Sequence, residues 1–410
     1  FKFRVRKFMK LFKSLLVAPA ALGLLAPMAV TANEFNLTDV SDYNSTTEVE
    51  SISDFDAAKE LAVTNSRVDG LEARFNNFEA GSFSETTTAS FSVDFATGYE
   101  DGTDAGDSLG AYYGFQIDLN TSFTGEDSLD VSLDGGNAAS QVSELDLNST
   151  TSEALTVDGV SYTFPVMGAT VFVGDNMDGS TLFSTACVYG GPSDTLDDCG
   201  NAFSALAVGS GTAAGASFDL GNGFTAAVGY EGTGDSTNGL LTNEGVDSYG
   251  AQLTYVDDSY GVSVTYGNLE TTQESAPFGY LDTTYWALNG YWTPSEAGSM
   301  PSISVGYETG DPEQTGAEDT THYFVGLQWD EAGPGTFGTA VGTVGASTDT
   351  QPHLQNGGGD PELMMYEAFY SYALNDGVTI TPLVYYKETA KSFTGDDELT
   401  GIMVKTSFSF

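Results

Sequence analysis

The chain has 410 residues, of which 58 are Asp or Glu and 12 are Lys or Arg, for a formal net charge of −46 at pH 7. So few basic groups cannot neutralise phosphates, which excludes nucleic acid as a partner. Past residue 33 no run of 18 apolar residues occurs, which excludes a membrane-spanning helix from the mature chain, and 26 Phe with 21 Tyr argue against disorder.

Residues 1–32 are predicted to be a secretory signal peptide, with residues 1–8 as upstream translation before the initiator Met9. Two lysines form a positive n-region, and Leu15–Ala26 forms a short apolar h-region. Small residues then precede the predicted cleavage site after Ala32. The segment is too short and wrongly flanked to be a membrane anchor.

Two segments are predicted between the signal peptide and the rest of the chain. Residues 33–52 are polar, acidic and rich in Ser and Thr, and we expect a flexible lead-in. Residues 53–81 have a helical period with apolar positions seven apart, which predicts a coiled-coil helix. The predicted oligomerisation seam consists of Leu61, Val68, Leu71, Phe75 and Phe78. The alternative is an amphipathic helix on a domain of its own, but the sequence offers no second helix on which it could pack.

From residue 84 the apolar pattern has a period of two, which is typical of strands with one wet and one apolar face. Candidate strands cover 86–96, 109–122, 127–133, 153–164, 168–174, 213–220, 224–230, 246–256, 260–269, 278–292, 302–309, 320–330, 337–344, 363–373, 378–388 and 399–410. The number of strands is even. An even set of antiparallel strands can close on itself with both ends of the chain on the same side.

The connections between these strands alternate in length. Residues 221–223, 257–259 and 374–377 have the Gly, Asn and Asp composition of tight hairpin turns. Longer polar loops lie between them, at 97–108, 134–152, 175–212, 231–245, 310–319, 345–362 and 389–398. A soluble sandwich gives no reason for this alternation, whereas outer-membrane barrels have short periplasmic turns and long external loops. The fold class is therefore predicted as all-β, a sixteen-stranded antiparallel transmembrane β-barrel over residues 84–410 with a short N-terminal coiled-coil helix.

The last predicted strand, Leu399–Phe410, ends on an aromatic residue. Ile402 and the alternate residues after it form one face, expected to meet lipid, and that face carries Phe408 and Phe410. Aromatic residues form girdles at the interfaces of such barrels. We predict that Phe408 and Phe410 are the assembly signal read by the barrel-assembly machinery.

The two cysteines, Cys187 and Cys199, fall in the longest predicted loop, 175–212. In an oxidising compartment they are expected to form a disulfide. The bond could staple an ordinary exposed loop, or it could stiffen a loop that folds into the barrel and narrows it. The length of the loop and its place after the fifth strand favour the second interpretation.

Charge predicts the selectivity of a pore. From residue 84 onwards the basic residues are Lys387, Lys391 and Lys405, and alternation places Lys387 and Lys405 on the polar face. The predicted pore-lining residues are these two lysines together with Asp175, Asp178, Asp194, Asp197 and Asp198. Rings of carboxylates favour cations, so a cation preference is expected. The alternative is that the acidity reflects only solubility or adaptation to high salt.

The residues suggest no enzyme. The two histidines, His322 and His353, lie apart, and no Cys or His group has the spacing of a metal site. We therefore predict no catalytic activity, no metal and no cofactor.

Several stretches resemble the cyanobacterial outer-membrane porins, a family related to the carbohydrate-selective porins. The resemblance is densest at 320–342, 361–388 and 398–410, while 61–87 resembles the coiled coil that precedes the barrel in that family. Residues 156–166 resemble the strand found just before the inward-folded third loop. The resemblance implies a sixteen-stranded barrel, a homotrimer in outer-membrane lipid, and passive passage of ions or small hydrophilic solutes, including carbohydrates.

The sequence departs from that family at one place. Family members carry an S-layer-homology domain between the signal peptide and the coiled coil, and residues 33–57 are too few for it. The sequence therefore gives no support for attachment of this protein to peptidoglycan. Two further hypotheses remain: a non-conducting barrel that serves as an adhesin or phage receptor, and a secreted soluble β-protein, which the Phe-terminated strand disfavours.

Overall fold

The computed structural model describes residues 86–101, 109–138, 140–145, 147, 154–197, 199, 211–234, 239–242, 245–270, 282–296, 298, 300–313, 319–344, 363–388 and 398–410. The chain divides into two compact units, Phe1–Glu72 and Ala73–Phe410, and every described residue belongs to the second. The predicted signal peptide, acidic lead-in and coiled coil lie outside the described residues.

The described residues form sixteen strands and one 3₁₀ helix, Ser140–Leu145. The strands are β1 (Thr87–Asp101), β2 (Gly110–Thr121), β3 (Ser128–Gly136), β4 (Thr156–Val166), β5 (Ala169–Met177), β6 (Gly211–Gly221), β7 (Phe224–Gly232), β8 (Asp247–Val256), β9 (Tyr260–Glu270), β10 (Thr283–Trp292), β11 (Ser302–Pro312), β12 (Thr320–Ala332), β13 (Gly335–Thr343), β14 (Met364–Asn375), β15 (Val378–Glu388) and β16 (Glu398–Ser409). Each strand pairs antiparallel with the next, and β1 pairs with β16, so the sheet is a closed barrel. The predicted fold class and strand number are confirmed.

The barrel closes between its first and last strands. Their register runs from Ser92 opposite Ser409 to Asp101 opposite Thr400. Beyond it, Phe91 and Phe410 exchange backbone hydrogen bonds of 3.0 and 3.1 Å, and their rings stack with centroids 5.9 Å apart. The terminal residue of the chain is therefore part of the ladder, and closure leaves no unpaired sheet edge.

Side chains alternate between the two surfaces of the wall, as the period of two predicts. In β15, Thr381, Leu383 and Tyr385 are buried, while Pro382 and Val384 are exposed on the outer face. Exposed aliphatic residues of the outer surface include Leu253, Val262, Val264, Leu288, Val305, Val325 and Val384. An aliphatic belt of this kind is unfavourable in water and favourable in hydrocarbon. The barrel is accordingly built for an outer membrane.

Aromatic side chains flank this belt at both ends. Near the short turns, Phe224 contacts Tyr255, and Tyr255 contacts Tyr260. Towards the long loops, Tyr266 packs against Trp286 with ring centroids 5.1 Å apart. Two aromatic girdles at the membrane interfaces are typical of outer-membrane barrels.

Short and long connections alternate around the barrel. The turn between β6 and β7 has φ of +79°, +53° and +82° at Gly221, Asn222 and Gly223, values that Gly and Asn adopt most readily. Two-residue turns also join β4 to β5, β12 to β13 and β14 to β15, whereas the connections from β3 to β4 and from β5 to β6 exceed eighteen residues. By alternation, all the long loops lie at one end of the barrel.

Details of the strands differ from the predicted boundaries. Strand β10 begins at Thr283 and not at 278, and β5 continues past 174 to Met177. Pro382 has no amide hydrogen, and the ladder from β15 to β14 passes from Leu383 to Ile380 without it, although pairing with β16 is continuous there. In the described part of the chain, no helix has the length and apolar character needed to cross a membrane.

Candidate functional site: the barrel lumen

Residues 178–199, which follow β5, enter the barrel and are called here the constriction loop. Between Asp178 and Cys199 the described residues form no strand, so the amides of this loop need partners other than a ladder. Inward side chains of the wall supply them. The bonds are Gly179 N to Glu231 Oε2 (3.1 Å), Ser184 N to Gln252 Oε1 (2.7 Å), Val188 N to Ser304 Oγ (3.1 Å) and Gly190 N to Gln328 Oε1 (2.8 Å). The loop therefore runs inside the barrel along the wall from β7 to β12. This agrees with the interpretation of the sequence in which the loop folds into the barrel.

A disulfide joins Cys187 to Cys199 in the constriction loop, with an S–S distance of 2.12 Å and a Cα–Cα distance of 5.9 Å. Tyr189 lies within the closed ring, and its hydroxyl donates a 2.6 Å hydrogen bond to Glu367 Oε1 on β14. Burial, and then the Glu367 carboxylate beside it, raise the pKa of Tyr189 above its ordinary value. The phenol therefore stays protonated and keeps its bond to the wall.

Residues 140–145 and 147, in the connection between β3 and β4, also lie inside the barrel and are called here the second inward segment. Val142, Leu145 and Leu147 are buried and belong to the same apolar cluster as Ala96 of β1. This corrects the expectation that 134–152 is an ordinary external loop. The available signal was three apolar residues within a polar stretch, QVSELDL at 141–147.

An apolar cluster fills one side of the lumen. It joins the second inward segment, the constriction loop and the walls of β1 and β12–β16. Its members are Ala96, Val142, Leu145, Leu147, Tyr189, Leu196, Cys199, Phe324, Ala340, Met365, Phe369, Leu383, Tyr385 and Met403. The inward residues of β2 and β3, by contrast, are mostly half-buried polar side chains. The polar part of the described inner face therefore lies along β2 and β3, opposite the apolar cluster in character.

Lys387 is inward, as the alternation predicted, but it is paired. Its Nζ lies 2.6 Å from Glu144 Oε1 of the second inward segment and donates a 3.1 Å bond to Thr195 Oγ1 of the constriction loop. The counter-charge comes from the connection between β3 and β4, which the sequence analysis places among the external loops. Lys405 lies on the inner face of β16 opposite Ala96 and Thr381, and among the described residues it has no ionic partner.

Carboxylates outnumber these lysines on the inner face. Inward acidic residues include Asp94, Glu100, Asp118, Asp130, Asp134, Glu231, Glu308 and Glu367. Asp118 accepts hydrogen bonds from Gln116 (2.8 Å) and Ser132 (2.7 Å), which fix a carboxylate on the half-exposed side of the lumen. Among the described residues, the inner face therefore carries more acidic than basic groups.

Not all of the aspartates predicted to line the pore lie inside the barrel. Asp194 is exposed and Asp197 half-buried on the constriction loop, and Asp178 lies at its start. Asp175 is still on β5, on the face opposite the buried Phe172, and it accepts a 2.9 Å bond from Thr212 Oγ1. That places Asp175 on the outer face of the wall. Asp198 lies outside the described residues.

Other predicted residues have structural surroundings. His322 is inward and buried, with Nδ1 at 3.1 Å from Thr343 Oγ1. Phe408 contacts Phe95 at the closure of the barrel. Lys391 and His353 lie outside the described ranges. Within those ranges no group of three or more His, Cys, Asp or Glu is arranged to hold a metal ion.

Comparison with solved structures finds other barrels of the same fold. OprB of Pseudomonas putida superposes with a TM-score of 0.55 over 79% of this chain and 94% of its own, at 12% identity. OmpT of Vibrio cholerae, an outer-membrane protein solved as a trimer, gives 0.55 over 80% and 100%, at 11% identity. An anion-selective porin from Comamonas acidovorans gives 0.55 over 79% and 99%, at 14% identity. These likenesses show a shared fold.

Sequence comparison adds one relative. An uncharacterised protein of Nostoc sp. is 24% identical over 413 aligned positions, which cover 86% of this chain and 70% of the relative. No protein-family profile matches the chain.

Proposed function

We propose that this protein is an outer-membrane porin through which ions and small hydrophilic solutes diffuse passively. The observation that carries the proposal is the closed sixteen-stranded barrel with an apolar outer belt and a polar, charged inner face beside β2 and β3. A barrel of this size leaves an aqueous channel, whereas eight strands would be filled by side chains. Conductance of the purified protein in a planar bilayer tests the proposal, and silence at all voltages would contradict it.

The passage is proposed to prefer cations. Inward carboxylates such as Asp94, Asp118 and Asp130 border it, while Lys405 is the inward lysine without a counter-charge among the described residues. Carboxylates lining a pore raise the local concentration of cations and lower that of anions. The zero-current potential across a KCl gradient should show potassium as the more permeant ion. Because the Debye length falls from about 8 Å at physiological salt to about 3 Å at 1 M, the preference should weaken as salt rises.

One observation favours a second candidate function. The apolar cluster of fourteen buried residues occupies lumen that an open porin would leave to water. If it closes the passage, the barrel would instead display its long loops as an adhesin or phage receptor. Conductance separates the two functions, because only a porin carries a steady current.

The remaining parts of the proposal follow from the resemblance to cyanobacterial and carbohydrate-selective porins. We expect secretion by the signal peptide, insertion by the barrel-assembly machinery through Phe408 and Phe410, and a homotrimer supported by residues 53–81. Carbohydrates are among the expected solutes, and no enzymatic activity is proposed. Heat-modifiable, SDS-resistant oligomers in the outer-membrane fraction are the expected result, and recovery as a soluble monomer would contradict it.

A further inference from the structure

We infer that Glu144 shifts the charge selectivity of the pore towards cations by pairing with Lys387, an inference that rests on the proposed porin function. The sequence alone places two lysines in the lumen of a barrel that has no arginine after residue 84. In the structure one of them, Lys387, forms an ion pair with a carboxylate. The residue that carries this carboxylate comes from the second inward segment, 243 positions away in the chain.

The ion pair and its hydrogen bonds join three parts of the chain. Lys387 Nζ lies 2.6 Å from Glu144 Oε1 and 3.1 Å from Thr195 Oγ1. The other carboxylate oxygen of Glu144 accepts the Thr195 amide at 3.3 Å, and its carbonyl accepts the Asp194 amide at 3.2 Å. Both oxygens of Glu144 are thus engaged, so its carboxylate is held against one ammonium group.

The exposed fractions of the two side chains show which charge would act on ions in the passage if the pair were broken. The Lys387 side chain is 20% exposed and that of Glu144 only 5%. A close ion pair has a field that falls off faster with distance than the field of a single charge. An ion in the passage therefore senses little of Lys387 while the Glu144 carboxylate lies beside it, and senses a positive charge once that carboxylate is replaced by an uncharged amide.

The size of the effect follows from Coulomb's law. A unit charge about 8 Å from a passing ion in water changes the local concentration of that ion by a factor of about 2.3. Potassium and chloride respond in opposite directions. The ratio of their permeabilities should therefore change about fivefold in dilute electrolyte.

A second role of the pair is mechanical, because it also ties both inward loops to β15. Two variants separate the roles. Glu144→Gln and Lys387→Met break the same ion pair and loosen the same loops, yet they change the charge of the lumen in opposite directions. Glu388→Gln is the matched control, since it removes one carboxylate from the outer face of the same strand, where Oε2 accepts the Met364 amide at 3.0 Å.

The experiment is the zero-current potential of purified protein in planar bilayers across a dilute KCl gradient. Glu144→Gln should shift the permeability ratio towards chloride and Lys387→Met towards potassium. The double variant should return close to the wild type, and Glu388→Gln should not move. If Glu144→Gln does not assemble, Lys387→Met alone must still shift the ratio towards potassium.

Two outcomes overturn the inference alone: single variants that shift the ratio in the same direction, and a conducting protein whose ratio neither variant moves. Either result would leave the pair with only a mechanical role. A wild-type protein that carries no current refutes the porin function and the inference with it. Single-channel conductance is recorded in the same experiment. Release of the loops should raise this conductance in both variants.

Discussion

The Cys187–Cys199 disulfide allows a direct test of what holds the constriction loop inside the barrel. The two residues are 12 positions apart. For a ring of this size, the chain-entropy argument gives about 3 kcal/mol of stabilisation against the disordered state. Here the relevant disordered state is a loop that has left the lumen while the barrel stays closed. Because about 1.4 kcal/mol is a factor of ten, removing the bond should raise the ratio of released to seated loops about a hundredfold.

The change to make is the double variant Cys187→Ser, Cys199→Ser. Tyr189 and Leu196 still anchor the loop against Glu367 and the apolar cluster, so the loop should remain seated most of the time. Single-channel recordings should then show brief transitions to a higher conductance that are far rarer in the wild type. A reductant that reaches the bond should produce the same transitions in the wild type and have no effect on the variant.

Two results would refute this reasoning. Recordings of the double variant that match the oxidised wild type would mean that the side-chain contacts alone hold the loop. Loss of the heat-modifiable band would mean that the disulfide supports the barrel itself, which the continuous ladder from β1 to β16 argues against.

Three further predictions concern other parts of the chain. Lys405→Gln should raise the potassium-to-chloride permeability ratio, and an unchanged zero-current potential would show that this lysine lies away from the passage. Hydrogen bonding, first from the Tyr162 hydroxyl, lowers the pKa of Asp127 in the turn after β2. A carboxylate with a lowered folded-state pKa stabilises the fold above its unfolded pKa of about 4, and this stabilisation is lost on acidification. Asp127→Asn should therefore lower the thermal midpoint at pH 7 and have a smaller effect at pH 2. Deleting residues 53–80 should weaken the SDS-resistant oligomer and leave the β-signal in circular dichroism, and complete loss of that signal would identify the segment as a folding core.

The strands could be predicted from the sequence because each obeys a local rule. Alternation places Lys387 and Lys405 on the inner face without knowledge of any neighbour, and the structure agrees. Turn chemistry at Gly221, Asn222 and Gly223 fixes the short connections in the same way. Where the rule is local, the prediction is correct to within a few residues.

The contents of the lumen follow no local rule. The sequence places Asp175 in a loop because it predicts that β5 ends at residue 174. In the structure β5 continues to Met177, and this places Asp175 on the outer face. The second inward segment has no period, and its position depends on burial of Val142, Leu145 and Leu147 against strands far away in the chain. The pairing of Glu144 with Lys387 could not be predicted until that segment was placed.

The polar inner wall has a structural role as well as an electrostatic one. Gln252, Ser304 and Gln328 each accept an amide hydrogen of the constriction loop, at 2.7, 3.1 and 2.8 Å. Turns within the loop satisfy some of its amides, such as those of Thr181, Phe183 and Asp197, but not the three that the wall binds, and an unsatisfied buried amide costs about 1–3 kcal/mol. The wall therefore needs acceptors where the loop runs, and three of the four acceptors are neutral, Glu231 being the exception. The neutral acceptors hold the loop without adding charge to the inner face, where the inward carboxylates and the two lysines are the charged groups.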